Sequence, residues 1–187
     1  MFSEQRVAQM AAYLLHKAGG RMEYIKVLKL LYLADRTAMG RWGESISGDH
    51  FVSMPHGPVL SQTYDLIKFG SGSPSAMNWD YWIKDEDKYE ISLRQTPCDR
   101  ELLDELSDAE LEILDGVFDK FGAMSWREIV NYTHDHCAEW EDPRGSSFPI
   151  SPEAVFRALG NCEEKVQALL NQHRMLTDLD IAQSALR

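Results

Sequence analysis

The segment IKVLKLLYLADR, residues 25–36, decides the fold of this 187-residue chain. Between Val27 and Ala34 only Lys29 is charged, and every other residue is apolar or aromatic. A helix that is apolar nearly all round must be enclosed by other elements, so the sequence predicts a buried central helix here. Asp35 and Arg36 place two charges at its end, which must leave the core or find partners. The side chains expected to be buried are Leu28, Leu31, Tyr32 and Ala34.

The segment SGDHFVSMPHGPV, residues 47–59, follows this helix closely. Its first part predicts a short strand from His50 to Met54, which runs into a Pro-His-Gly-Pro turn. Pro58 suits the first turn of a new helix, because its missing N–H has no helical partner at that position. Gly57, between a histidine and a proline, suggests a backbone conformation that a side chain would strain.

Helix signals flank these two segments. Ser3 is placed to cap an N-terminal helix, and capping boxes begin at Ser107 and Ser125. Together with the central helix, they predict a mostly helical chain of about six to eight helices.

A β-hairpin is predicted between these helices. Residues 79–83 and 89–93 read as its two strands, joined by an acidic turn, and residues 70–75 read as a flexible surface loop. Because two strands alone are marginal in water, the strand from His50 to Met54 is expected to join the hairpin. The predicted fold class is therefore α+β, predominantly helical, with one small antiparallel sheet made of a hairpin and a short strand.

Composition is that of a cytoplasmic globular protein. The formal net charge is −11, which disfavours binding to a phosphate backbone and favours a basic protein partner. Three scattered cysteines form no Cys-x-x-Cys pair, which fits a reducing cytosol. No apolar run approaches the ~18 residues that a membrane span needs, and the N-terminus lacks the pattern of a secretion signal.

Two groups of residues resemble chemical sites. His134 and His136 suggest a metal site with Cys137, but residues two apart on a helix point in different directions, so we expect no metal and no cofactor. His56 could act as a general base with Asp49 and His134 around a pocket, which leaves an enzyme as one alternative. The interpretation we prefer is that His56 fixes the turn and that His134 packs near Trp140.

A DNA-binding autoregulator is the other alternative, because helices followed by a hairpin occur in that order in winged helix-turn-helix proteins. A recognition helix needs exposed basic residues, however, and residues 27–34 are too apolar for that role.

The two quoted segments together resemble the Panacea domain family, also called SocA-like antitoxins or phage-associated GepA-like proteins. The residues that carry the resemblance span roughly residues 5–140: Lys29, Tyr32, Asp35, Arg36, Gly48, Asp49, His56, Gly57, Pro58, His134 and Trp140. We call them the motif residues. They imply a Panacea-like helical domain with a β-hairpin over 1–142, and a helical extension packed on the same domain over 143–187.

The resemblance also implies a function, which is not that of an enzyme. Members neutralise a co-encoded toxin by binding it directly, and one member is also a protease adaptor. The implied partners are a cognate toxin and a AAA+ protease system.

Aromatic side chains on the hairpin and on the loop before the first strand are the candidates for the binding surface. Trp42, Trp79 and Trp82 are the predicted anchors, and Asp85, Glu86 and Asp87 are the predicted polar rim. The same tryptophans would also suit the core of a small sheet, and that alternative stays open.

Overall fold

The structure, a computed structural model, describes residues 1–71 and 78–185. In this part of the chain there are eight α-helices: α1 (Glu4–Lys17), α2 (Tyr24–Trp42), α3 (Ser61–Phe69), α4 (Trp79–Trp82), α5 (Asp108–Phe121), α6 (Trp126–His136), α7 (Pro152–Ala158) and α8 (Glu163–Ala185). The six strands there are β1 (Arg21–Glu23), β2 (Phe51–Met54), β3 (Gly57–Leu60), β4 (Ile83–Glu86), β5 (Glu90–Leu93) and β6 (Phe148–Ile150). The predicted α+β, predominantly helical class is confirmed. Of the predicted loop at 70–75, residues 72–75 lie outside the described residues.

Helix α2 is the buried centre of the molecule, as predicted. Every residue from Val27 to Asp35 is buried, including Leu28, Leu31, Tyr32 and Ala34. Helices α1, α5, α6 and α7 pack around it together with β3, so its apolar surface is enclosed on all sides. It ends at Gly43, which adopts the left-handed conformation that terminates helices (φ +84°).

The predicted helix starts at Ser3, Ser107 and Ser125 are confirmed. The Ser3 hydroxyl accepts a hydrogen bond from Arg6 N at 3.2 Å. Ser107 and Ser125 each form a complete capping box, with Glu110 and Glu128 respectively. These caps are local interactions between residues three apart, which is why the sequence alone reveals them.

The described residues form two three-stranded antiparallel sheets, where the sequence predicted one. In the first, the order is β1-β5-β4, so β1 completes the hairpin. In the second, the order is β3-β2-β6. The predicted pairing of the strand at 50–54 with the hairpin is therefore wrong. Residues 21–23 supply the third strand instead, and this segment is too short to show an alternating pattern.

Pro58 lies in a strand rather than in the first turn of a helix, so that prediction was wrong. It is opposite Ser53 in the β2–β3 ladder, and the next helix begins only at Ser61. Among the described strands β3 pairs with β2 alone, so the missing N–H of the proline is tolerated at this sheet edge.

The predicted strand over 79–83 is mostly a helical turn, α4. Asn78 caps this turn by accepting a hydrogen bond from Tyr81 N at 3.3 Å, and β4 begins only at Ile83. The turn directs Trp79 and Trp82 into the core, where both are buried. The hairpin tip is also later than predicted, at residues 87–89.

The part of the chain that the structure describes contains no helix long and apolar enough to cross a membrane.

Candidate functional site

Three of the four motif residues of α2 face one buried polar region. Lys29, Tyr32 and Arg36 follow one another at spacings of three and four, so they lie on one side of the helix. That side faces β3 and the end of α6. Asp35 points elsewhere, toward the loop at 46–47.

Glu139 is the centre of this polar region. Arg36 holds it in a two-point fork, with Nε 2.6 Å from Oε1 and Nη2 3.2 Å from Oε2. The Tyr32 hydroxyl also donates to Oε1. The Glu139 side chain is fully buried, so the guanidinium and the hydroxyl supply the hydrogen bonds that water cannot. Burial and the Glu139 charge hold the pKa of Tyr32 well above its usual value.

Sequence reasoning did not find Glu139. The available signal was Arg36, because a cation directly after a buried apolar run needs a carboxylate partner if it does not reach solvent. Nothing in the sequence says which of the 30 acidic residues fills that role.

Lys29 is a fully buried charged residue of this region. Its side chain is inaccessible to solvent, and its ammonium donates to the Pro58 carbonyl at 2.7 Å. Burial lowers the pKa of Lys29 to about 7, although the nearby Cys137 opposes this shift. Cys137 is itself buried, and burial raises the pKa of its thiol to about 12, so it is an unreactive thiol.

Gly57 is packed tightly against this lysine. Its φ of +89° is in the left-handed region. A Cβ at this position would lie 2.7 Å from Thr133 Oγ1 and 2.9 Å from Lys29 Nζ. Both the conformation and the space therefore require glycine.

His134 and Trp140 form a stacked pair, with ring centroids 4.0 Å apart and planes 4° from parallel. Trp140 Nε1 donates to the Met54 carbonyl at 3.0 Å, which fixes the segment after α6 to β2. Burial lowers the pKa of His134, and the positive charge of Lys29 adds to that effect. His136 stacks instead on Tyr132, so the two histidines do not converge. No group of three histidine, cysteine or acidic side chains among the described residues could hold a metal ion.

Two motif carboxylates hold backbone amides. Asp35 accepts from Ile46 N and Ser47 N at 2.9 and 3.0 Å, and from the Ser47 hydroxyl. Burial raises the pKa of Asp35 to about 7, against these three hydrogen bonds, which favour the carboxylate.

Asp49 accepts from Gln62 N and Thr63 N at the start of α3, at 3.0 and 2.8 Å, and from the Thr63 hydroxyl. Both of its oxygens are engaged at this helix N-terminus, so it does not orient His56, which is exposed in the turn.

The predicted partner-binding residues are not on one surface. Trp79 and Trp82 are buried, so they stabilise the fold and cannot anchor a partner in this conformation. Trp42 is 38% exposed, but it is the last residue of α2. The hairpin lies beside Tyr24, which is the first residue of α2. At a rise of 1.5 Å per residue, the two ends of α2 are about 27 Å apart, so Trp42 lies far from the hairpin.

Other aromatic side chains are exposed near the hairpin instead. Phe69 and Tyr89 are 83% and 76% exposed, and Tyr81 is 39% exposed. Asp85 and Asp87 are exposed beside them, and Glu86 is half-buried. The sequence placed Tyr89 in a strand, and only the position of the hairpin tip reveals that its ring is largely exposed.

The family model described as antitoxin SocA-like, Panacea domain, matches residues 27–141, which is more than half of the chain and includes every motif residue. Comparison with curated proteins gave no match, and comparison with solved structures gave none either.

Proposed function

Since the chain belongs to the SocA-like, Panacea-domain antitoxin family, we propose that it is the antitoxin of a toxin–antitoxin pair and neutralises its co-encoded toxin by direct binding. One observation supports a binding role above the others. The motif residues Lys29, Tyr32 and Arg36 are engaged in buried contacts that join α2 to β3 and to the segment after α6. The motif residue Asp49 joins the segment before β2 to the start of α3. Residues used in this way stabilise the fold, so we expect the exposed residues around them to recognise the toxin.

The surface charge supports a protein partner of opposite sign. A net charge of −11 attracts a basic protein and accelerates its encounter. Exposed aromatic side chains provide the apolar contacts that such an interface needs at its centre.

The test is expression of the neighbouring gene product with and without this chain. We expect growth arrest when the neighbour is expressed alone, rescue when both are expressed, and a complex that co-purifies. The Lys165→Ala variant serves as a control that should rescue growth as well as the parent chain does. Its exposed side chain lies on α8, outside the family match. A neighbour that is harmless alone, or a rescue without a complex, would contradict the proposal.

The proposal extends to the protease partner that the resemblance implies. If the chain also delivers the toxin to a AAA+ protease, the toxin should be degraded faster when the antitoxin is present. A pulse-chase measurement of toxin half-life, with and without this chain, tests this second step separately from neutralisation.

A further inference from the structure

Two tyrosine rings lie over one ammonium group at the hairpin side of the molecule, and a third tyrosine ring lies against one of them. Lys68 Nζ, on α3, lies 4.0 Å from the ring centroid of Tyr24 and 5.6 Å from that of Tyr64. The ring of Tyr89, at the hairpin tip, lies 6.2 Å from that of Tyr24. We call Tyr24, Tyr64 and Tyr89 the tyrosine cluster. Aromatic faces carry negative electrostatic potential, so such a cluster favours a cation.

The tip of the hairpin holds Tyr89 in an unfavourable conformation. Lys88 and Tyr89 have φ values of +63° and +66°, in the left-handed region that Asn-Gly adopts in tight hairpins. The Tyr89 ring is largely exposed, so burial does not offset this strain. The hairpin turn itself requires positive φ values, and the turn leaves the Tyr89 ring open to solvent.

Two acidic side chains beside the tyrosine cluster are exposed and can bind a cation of a partner. Asp85 and Asp87 are exposed, and neither forms an ion pair or hydrogen bond with another residue in the described parts of the chain. The neighbouring Glu86, in contrast, pairs with Lys84 and Arg21. Burial tends to lower the pKa of Lys68, but the contact with Tyr24 and the electrostatic effects of Tyr24, Tyr64 and Asp85 outweigh burial and raise this pKa, so the surroundings stabilise an ammonium.

There is also room beside Lys68. A cavity of about 400 Å³ lies beside α3 and the β4–β5 hairpin, and its lining includes Ile83 and Ile91 together with the charged residues Lys68, Lys84, Asp85 and Arg94. The cavity adjoins the cluster through Lys68, whose ammonium lies over the rings of Tyr24 and Tyr64.

We propose that the tyrosine cluster, with the carboxylates of Asp85 and Asp87, is the docking surface for an arginine or lysine side chain of the toxin, which displaces Lys68 from the rings. The occupant is a cation because the cluster already holds one, and it comes from a basic protein because this chain carries a net charge of −11. This inference rests on the proposed function for the identity of the partner, but not for the chemistry of the site.

The first experiment measures calorimetric binding of the co-encoded toxin to three forms of the full chain. Tyr89→Gly relieves the left-handed strain and removes the ring, so the protein should become more stable while toxin affinity falls about tenfold, a loss that unfolding cannot explain. Tyr89→Phe keeps the aromatic face and should bind within about twofold of the parent. If Tyr89→Gly binds as tightly as the parent, this docking surface is wrong, although the antitoxin function stands.

The second experiment uses tetramethylammonium chloride as a probe, so it does not depend on the toxin. In the Lys68→Met variant, whose cluster has lost its own cation, the probe should shift the ring-proton NMR signals of Tyr24, Tyr64 and Tyr89. Sodium chloride at equal concentration should not, and neither should the probe in the Lys68→Met/Tyr89→Gly double variant. If the probe shifts these signals but the chain does not bind the toxin, the cation site is supported and the antitoxin function is refuted. Absence of the shifts overturns the cation site whatever the toxin does.

Discussion

Arg36 and Glu139 lie 103 positions apart in the chain, yet the guanidinium of one holds the buried carboxylate of the other in a two-point fork. The contact joins the middle of α2 to the segment that follows α6. The same carboxylate accepts from Tyr32, so a single acidic side chain satisfies two buried donors of the central helix.

Replacement of Glu139 tests this relationship. Glu139→Ala removes the partner of the buried Tyr32 hydroxyl and of the partly buried Arg36 guanidinium, and it should lower the free energy of unfolding by about 3–5 kcal/mol. Urea denaturation measures the loss. Glu153→Ala is the control, because it removes an ion pair with Arg157 whose side chains are 52% and 40% exposed, and it should cost about 1 kcal/mol or less. Equal effects of the two variants would mean that the buried fork contributes no more than a surface pair.

Gly57 should tolerate no side chain. Gly57→Ala adds a Cβ in a left-handed conformation and forces it against Thr133 and Lys29, so it should cost more than the ~1–2 kcal/mol of the conformation alone. Gly145→Ala is a matched control, because Gly145 has nearly the same φ, +88°, with no atom within 4 Å of the added Cβ. Thermal unfolding measures both variants. Gly145→Ala reports the backbone strain alone, and any further loss of stability in Gly57→Ala reports steric crowding, so equal destabilisation of the two would show that crowding contributes nothing.

Lys29 should make stability depend on pH in the alkaline range. The pKa of Lys29 is about 7 in the folded chain against a usual value of 10.5. Between these values the unfolded chain binds more protons, so stability should increase as pH rises from about 7 to about 10.5, by up to about 1.4 kcal/mol per pH unit. Lys29→Met removes the ammonium and should abolish this increase. Urea titrations of both proteins from pH 7 to 10 give the comparison, and parallel curves would show that Lys29 is not the source.

The tryptophans should separate into structural and surface residues. Trp82→Ala empties a fully buried site and should cost about 3–5 kcal/mol in urea denaturation. Trp42→Ala, at the exposed end of α2, should change stability by about 0.5 kcal/mol or less. Toxin rescue measured below the melting temperature of each variant then shows which residue contributes to binding. A stable Trp82→Ala protein would contradict its assignment to the core.

The central helix and its caps could be predicted because their signals are local. Val27–Ala34 is apolar nearly all round, and each capping box spans four residues. Strand pairing could not be predicted in the same way, because β1 has only three residues and its partner β5 lies about 70 positions later. The sequence did not show whether Trp79 and Trp82 lie in the core or on the surface. A four-residue helical turn, capped by Asn78, places both of them in the core.

The motif residues were found in the sequence, but their roles were not. Lys29, Arg36 and Asp49 are polar residues next to apolar ones, a pattern that fits a site as well as a scaffold. Their roles depend on partners far along the chain, such as Glu139, and one sequence contains no record of such distant contacts.

The pairing of β6 with β2 has a practical consequence for any shortened version of this protein. Strand β6, at residues 148–150, lies beyond the family match, which ends at residue 141. A fragment trimmed to the matched region would expose the edge of β2, and exposed edges recruit strands from other molecules. Such a fragment should aggregate, and its failure to bind a toxin would then report the missing strand rather than a missing contact. Mapping of the interface therefore needs point substitutions in the intact chain.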